Sequence, residues 1–131
     1  MKGIDTNVLV RYLVQDDAVQ SKKAAEFIES ECVHNEGILI NDVVMCELVW
    51  VLETFYEYSK ESIVDVLDKI MLTKQFTFVN RNVLWQALRI YQKSNTDFAD
   101  NYIAFLNHQH NCEYSLTFDK KAAQLCHFKL L

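Results

Sequence analysis

A chain of 131 residues with a net charge of −5, half of its residues apolar, two glycines and no proline has material for one buried core and little for linkers or low-complexity tails. One compact domain over 1–131 is the expectation. Charges interrupt the apolar stretches well short of a membrane span, and the amino terminus lacks the basic, apolar and small-residue succession of a signal peptide, so a cytoplasmic protein with no membrane contact is expected.

In chain order, Met1 to Ile4 reads as a short strand and Thr6 to Val14 as a helix, with Leu9, Val10, Leu13 and Val14 at helical spacing. Asp16 and Asp17 break that pattern, and Gln20 to Ser30 forms a second amphipathic helix. Gly37 opens the strand Ile38-Leu39-Ile40, after which Asn41 or Asp42 caps a long apolar helix that carries Glu47. Ser59 to Ser62 starts the next helix, with Ile63, Val66, Leu67, Ile70 and Met71 inward. Phe76 to Val79 is a strand and Asn80 to Gln92 a helix. Asn95-Thr96 leads into the helix of Asp97 and Asp100, then come a strand over Tyr114 to Phe118 and a short helix from Lys120. Such alternation predicts an α/β fold, a small parallel sheet flanked by helices.

Five acids stand at the ends of apolar runs or inside them: Asp5, Glu47, Asp97, Asp100 and Asp119. Asp5 and Asp119 end predicted strands, at the edge where open α/β sheets bind ligands. Glu47 is the only charge between Asp42 and Glu53 and reads as buried, where a carboxylate must pair, take a proton or bind a cation. Asp97 and Asp100 share one face of a first helical turn and repel unless something positive lies between them. Each acid also has an ordinary reading. Asp5, Asp97 and Asp119 can cap helices, and Glu47 can pair with Arg11 or another distant base. Hard-cation chemistry explains all five at once, because Mg²⁺ or Mn²⁺ takes oxygen ligands around a wet site.

At Asp5-Thr6-Asn7-Val8-Leu9-Val10-Arg11, Cys46-Glu47-Leu48-Val49-Trp50-Val51-Leu52, Asp97-Phe98-Ala99-Asp100 and Thr117-Phe118-Asp119, the chain resembles the PIN-domain nucleases, and more narrowly the VapC-type toxins of bacterial toxin–antitoxin pairs. The resemblance spans nearly the whole chain. It implies a three-layer α/β/α sandwich and a metal-dependent endoribonuclease, with Asp5, Glu47, Asp100 and Asp119 as catalytic metal ligands, Asp97 as an additional acid and Mg²⁺ or Mn²⁺ as cofactor. It also implies an RNA substrate, a cognate antitoxin and a homodimer. Asn7 and Thr117 are candidates for holding a carboxylate or a coordinated water. Two readings from other classes stand beside this one: an inactive PIN-like binding or scaffold module, and another Mg²⁺-dependent phosphoryl hydrolase.

The negative balance sits uneasily with an RNA substrate, which calls for a basic footprint. Arg11, Lys22, Lys23, Arg81, Arg89, Lys93, Lys120 and Lys121 are the cations available for flanking phosphates. Trp50, Phe55, Tyr56, Tyr58, Trp85 and Tyr91 are more large aromatics than a small core readily hides, which predicts an interface. Cys32, Cys46, Cys112 and Cys126 form no C-x-x-C pair and read as small buried apolar residues, reduced in the cytoplasm. Asn111-Cys112 stands where the family commonly has a glycine turn, and Asn tolerates the left-handed conformation. With no turn glycine before Phe128, the final strand is expected to be frayed or absent.

Overall fold

In the computed structural model, which describes residues 1–34 and 37–131, strands alternate with helices and the chain divides into two compact units, Met1–Val79 and Asn80–Leu131. The first unit holds β1 (Lys2–Ile4), α1 (Thr6–Val14), α2 (Ala18–Val33), β2 (Ile38–Ile40), α3 (Asp42–Thr54), α4 (Lys60–Leu72) and β3 (Phe76–Thr77). Its strands lie in the order β1-β2-β3, all parallel, with Gly3 opposite Leu39 and Leu39 opposite Thr77. Parallel neighbours require crossover connections, and the helices between the strands supply them. Leu9, Ile38, Ile40, Met45, Leu48 and Leu67 are fully buried and form the centre of this unit.

Local chemistry sets the boundaries. Asp5, Asp17, Asn41 and Ser59 each accept an amide of the following first turn, from Val8, Gln20, Val43 and Ser62 respectively. Between the two capping candidates of α3, Asn41 therefore does the capping, and Asp42 is buried and accepts the Val79 amide at 2.9 Å. That bond shortens the strand predicted over Phe76 to Val79, because an amide given to a side chain is lost to the ladder. Gly37 has φ +76°, and a Cβ there would meet the Gln75 carbonyl oxygen at 3.3 Å, so the entry to β2 needs glycine.

The second unit holds α5 (Arg81–Lys93), α6 (Phe98–Gln109), β4 (Ser115–Thr117), a 3-10 turn over Ala122–Gln124, and β5 (Phe128–Leu130). α5 packs on α6, and Ala104, Ala122, Leu125 and Phe128 form a small apolar cluster with Ile90 against it. α6 ends with Asn111 at φ 67°, in the left-handed conformation expected of it, and the Cys112 amide returns to the Asn107 carbonyl at 3.0 Å.

The closing strand corrects the expectation from sequence. β5 is formed and parallel to β4, with Ser115 opposite Phe128 and Thr117 opposite Leu130. The Phe128 amide donates to the Leu125 carbonyl at 3.1 Å, which makes the turn without glycine. The cysteines differ from expectation too. Cys32 and Cys46 are half-buried, Cys112 and Cys126 are exposed, and all four are free thiols. Among the described residues no helix is long and apolar enough to cross a membrane.

Candidate functional site

Asp5 follows β1 directly, as predicted, and its carboxylate accepts the Val8 amide at 3.0 Å through Oδ1. The capping reading is thus correct for one oxygen, and the same bond fixes the direction of the other. Asn7 and Arg11, one turn along α1, line two cavities. One, of about 470 Å³, also includes Asp5, Lys23 and Phe27; the other, of about 370 Å³, includes Trp50, Phe55 and Tyr56.

Glu47 is not where its sequence neighbours suggested. It lies on the exposed side of α3 with Val43 and Trp50, which are 62% and 64% exposed. Apolar residues occupy both sides of this helix, so hydropathy alone did not reveal which side faces inward. Nor does Arg11 pair with Glu47. Its Nη1 donates to Asp16 Oδ1 at 3.0 Å and to the Tyr56 hydroxyl at 3.3 Å, while the Tyr56 hydroxyl donates to Asp16 Oδ2 at 2.7 Å. Asp16, read from sequence only as a helix breaker, is the true partner. The hydrogen bond from Tyr56, then a bond to its own backbone amide and the Arg11 charge, hold its carboxyl below the ordinary value against the opposing effect of burial. Cys46, next to Glu47, has its thiol pushed up to about 11 by burial, then by Asp42 and Glu47, so it is no thiolate at neutral pH.

The second unit brings Asp100 within electrostatic reach of both Asp97 and Asp119. Asp100 is half-buried in the first turn of α6. Its carboxyl is raised above the ordinary value first by burial and then by the charges of Asp97 and Asp119, with Lys121 opposing. Asp97 is the N-cap of α6 by position, yet its side chain makes no capping hydrogen bond. Of the six α-helices among the described residues, this one alone starts without a side-chain cap. Asp119 uses Oδ1 for the amides of Lys121 and Ala122, at 2.8 and 3.4 Å. Thr117 does not touch a carboxylate; its Oγ1 accepts the Asp119 amide at 3.0 Å and so sets the backbone that aims Asp119.

A buried polar chain positions the start of α6, and sequence reading passed over it. Asn101 is fully buried; it accepts from Thr96 Oγ1 at 2.7 Å and donates from Nδ2 to the Ala87 carbonyl of α5 at 3.2 Å. Ser94 Oγ lies 2.7 Å from Thr96 Oγ1 and donates to the Ile90 carbonyl. Asp97 and Asp100 thus stand on a helix end bolted to its neighbour by satisfied polar groups, which is how a buried amide is tolerated. The only sequence signal was an Asn one residue past Asp100 among apolar positions.

Among the described residues, no three of His, Cys, Asp and Glu stand close enough to hold a metal ion. The donor chemistry nonetheless suits a hard cation: Asp97, Asp100 and Asp119 are oxygen donors, Asp97 and Asp119 both repel Asp100, and Asp97 makes no capping hydrogen bond. His108 and His127 stack ring on ring at 3.8 Å, with Phe105 edge-on to His127 at 5.4 Å.

The family model of the PIN domain matches residues 3–127, a span that covers both units and all five acids. A VapC ribonuclease of Aquifex aeolicus (strain VF5) is 27% identical over 100 residues, which is 76% of this chain and 73% of that protein. With parallel strands, interleaved helices and this match over nearly its whole length, the chain belongs to the PIN domain family.

Proposed function

We propose that the chain is a metal-dependent endoribonuclease acting as the toxin of a toxin–antitoxin pair. The observation that carries the reading is the start of α6, where Asp97 makes no capping hydrogen bond and the half-buried Asp100 feels the charges of both Asp97 and Asp119, which come from two separate stretches of sequence. Similarity to a VapC ribonuclease supports RNA as the substrate and an antitoxin as the partner. The family match across both units supports their action as a single domain.

In this reading Asp5, Glu47, Asp100 and Asp119 are the catalytic acids, and they, with Asp97, hold Mg²⁺ or Mn²⁺. A divalent cation bound there would offset the carboxylate charge and supply the Lewis acid that makes the phosphorus more open to attack. The chain's own part is to aim oxygens. Asp5 and Asp119 each spend one oxygen on backbone amides, which leaves the second for a cation. Asp97 spends neither oxygen on its helix and is suited to orient the attacking water. Exposure of Glu47 leaves it reachable by ions and substrate without a desolvation cost. Asn7 and Thr117 support the carboxylates from the neighbouring backbone. The protein works in the cytoplasm as a homodimer, and its antitoxin covers the cavities that Arg11 lines.

Purified protein is expected to cleave single-stranded RNA internally with Mg²⁺ or Mn²⁺ and not in excess EDTA. Cleavage that persists in the chelator would end the metal mechanism. Hydrolysis of a small phosphate ester with RNA left intact would favour a phosphatase instead.

A further inference from the structure

The acidic balance of this chain is confined to one part of it. Residues 80–131 carry six Lys and Arg against four Asp and Glu, whereas residues 1–79 carry seven against fourteen. Within the basic part, α5 holds Arg81, Arg89 and Lys93 and no carboxylate. Arg81, Trp85, Arg89 and Lys93 recur every four residues, so they descend one side of the helix, away from its buried side. Both guanidinium groups lie over the Trp85 ring, Arg81 at 6.0 Å and Arg89 at 4.9 Å from its centre, and Arg89 Nη1 donates to Gln92 Oε1 at 3.2 Å. The three cations are exposed and Trp85 is half-buried.

We propose that this stripe of α5 is a docking surface for single-stranded RNA, an inference that rests on the nuclease reading above and gives its substrate a place to bind. A centre built of carboxylates repels the phosphates it must receive, so the chain needs a cationic footing on another surface. The stripe offers one with the right chemistry. Guanidinium forks match phosphate oxygens two at a time, and Trp and Arg planes together form a platform on which an unpaired base stacks. The ring contacts already hold the two arginines in place, which lowers the ordering cost of binding. An apolar protein partner would find one aromatic among three cations, a poor match for a dry interface.

The test is binding of a short labelled single-stranded RNA to the full chain in EDTA, where no metal-dependent cleavage occurs, followed by fluorescence anisotropy across a salt series. Arg81→Ala/Arg89→Ala is expected to weaken binding at least tenfold and to flatten the salt dependence, by about 0.7 in slope for each phosphate no longer neutralised. Trp85→Leu should weaken it roughly fivefold or more with the slope kept, since stacking releases no counterions. Lys69→Ala/Lys74→Ala, which removes two exposed charges from the other unit, should leave the slope unchanged. Arg81→Gln/Arg89→Gln, which preserves stem packing, stands in if the alanine pair melts early. Stripe variants that keep wild-type affinity and slope overturn the inference, and so do variants that lose only self-association in light scattering, which would make the stripe a protein contact. Mg²⁺-dependent cleavage by the wild type is measured alongside. Cleavage with binding indifferent to the stripe removes this inference alone, whereas RNA neither bound nor cut removes the nuclease reading with it.

Discussion

Asp100 carries the sharpest expectation at the scale of single residues. Its carboxyl is raised by burial and by two neighbouring acids, so the ionised form is disfavoured in the fold. Asp100→Asn keeps the shape and removes the charge. It should abolish RNA cleavage while leaving the metal-free protein as stable or more stable, by something on the order of 1 kcal/mol. The rise in melting temperature given by Mg²⁺ should shrink in the same variant, because binding to the native state is what stabilises it. Thermal melts with and without Mg²⁺, beside one cleavage assay, check both halves, and a variant that still cuts RNA would end the assignment. The placement of Asp5, Asp100 and Asp119 was legible from sequence because each lies beside a strand end or helix start that announces itself. Glu47 was legible as an acid out of place, but its exposure was not, since Val43 and Trp50 give the outward side of α3 the same apolar signature as its core side.

Among the elements, α6 depends on the Thr96–Asn101–Ala87 chain. Asn101→Ala removes two buried hydrogen bonds, to the Thr96 hydroxyl and to the Ala87 carbonyl, so a loss of about 1–3 kcal/mol is expected in urea unfolding. β5 supplies a pH-dependent counterpart. His127 precedes it and has its imidazole held below the ordinary 6.5, first by burial and then by the stacked His108. The folded state therefore binds that proton less readily than the unfolded chain does. The stability involved is full above the ordinary value and falls as pH drops through it toward the lower folded value. His127→Phe preserves an edge contact with Phe105 and should flatten this decline in melting temperature; an unchanged decline would assign the effect to other groups. Helix starts at Asn41, Ser59 and Asn80 were readable because a cap is a local device, written within four residues. β5 was not, because its pairing joins Ser115 to Phe128 across intervening chain and leaves no mark in either segment.

For the molecule as a whole, the relevant quantity is apolar surface left outside the core. Tyr91 is buried as a core residue, but Trp50 and Phe55 are 64% and 75% exposed, and both line the cavity that Arg11 shares. Surface of this kind marks an interface. The chain is expected to run as a homodimer and to retain a small partner when expressed with its own operon. Trp50→Ser/Phe55→Ser should lose the dimer or the partner with little change in melting temperature. Light scattering that finds a wild-type monomer at micromolar concentration, with nothing retained, would remove this expectation. The surplus of aromatics was visible in the composition, but which of them would be left outside depends on packing, which composition does not record.

Drift would shed Asp97 first. At Asp5 and Asp119 an alanine also breaks bonds to backbone amides, so most inactivating changes there weaken folding and expose the chain to proteolysis. Asp97 restrains no amide. Ser or Asn in its place is free to turn inward and cap α6, giving a well-folded chain without its acid. Survivors selected from a mutagenised population expressing this gene should therefore divide by position: soluble, full-yield protein when the lesion is at 97, and reduced yield when alanine stands at 5 or 119. Yields that do not sort by position would mean that the uncapped start of α6 carries no such asymmetry.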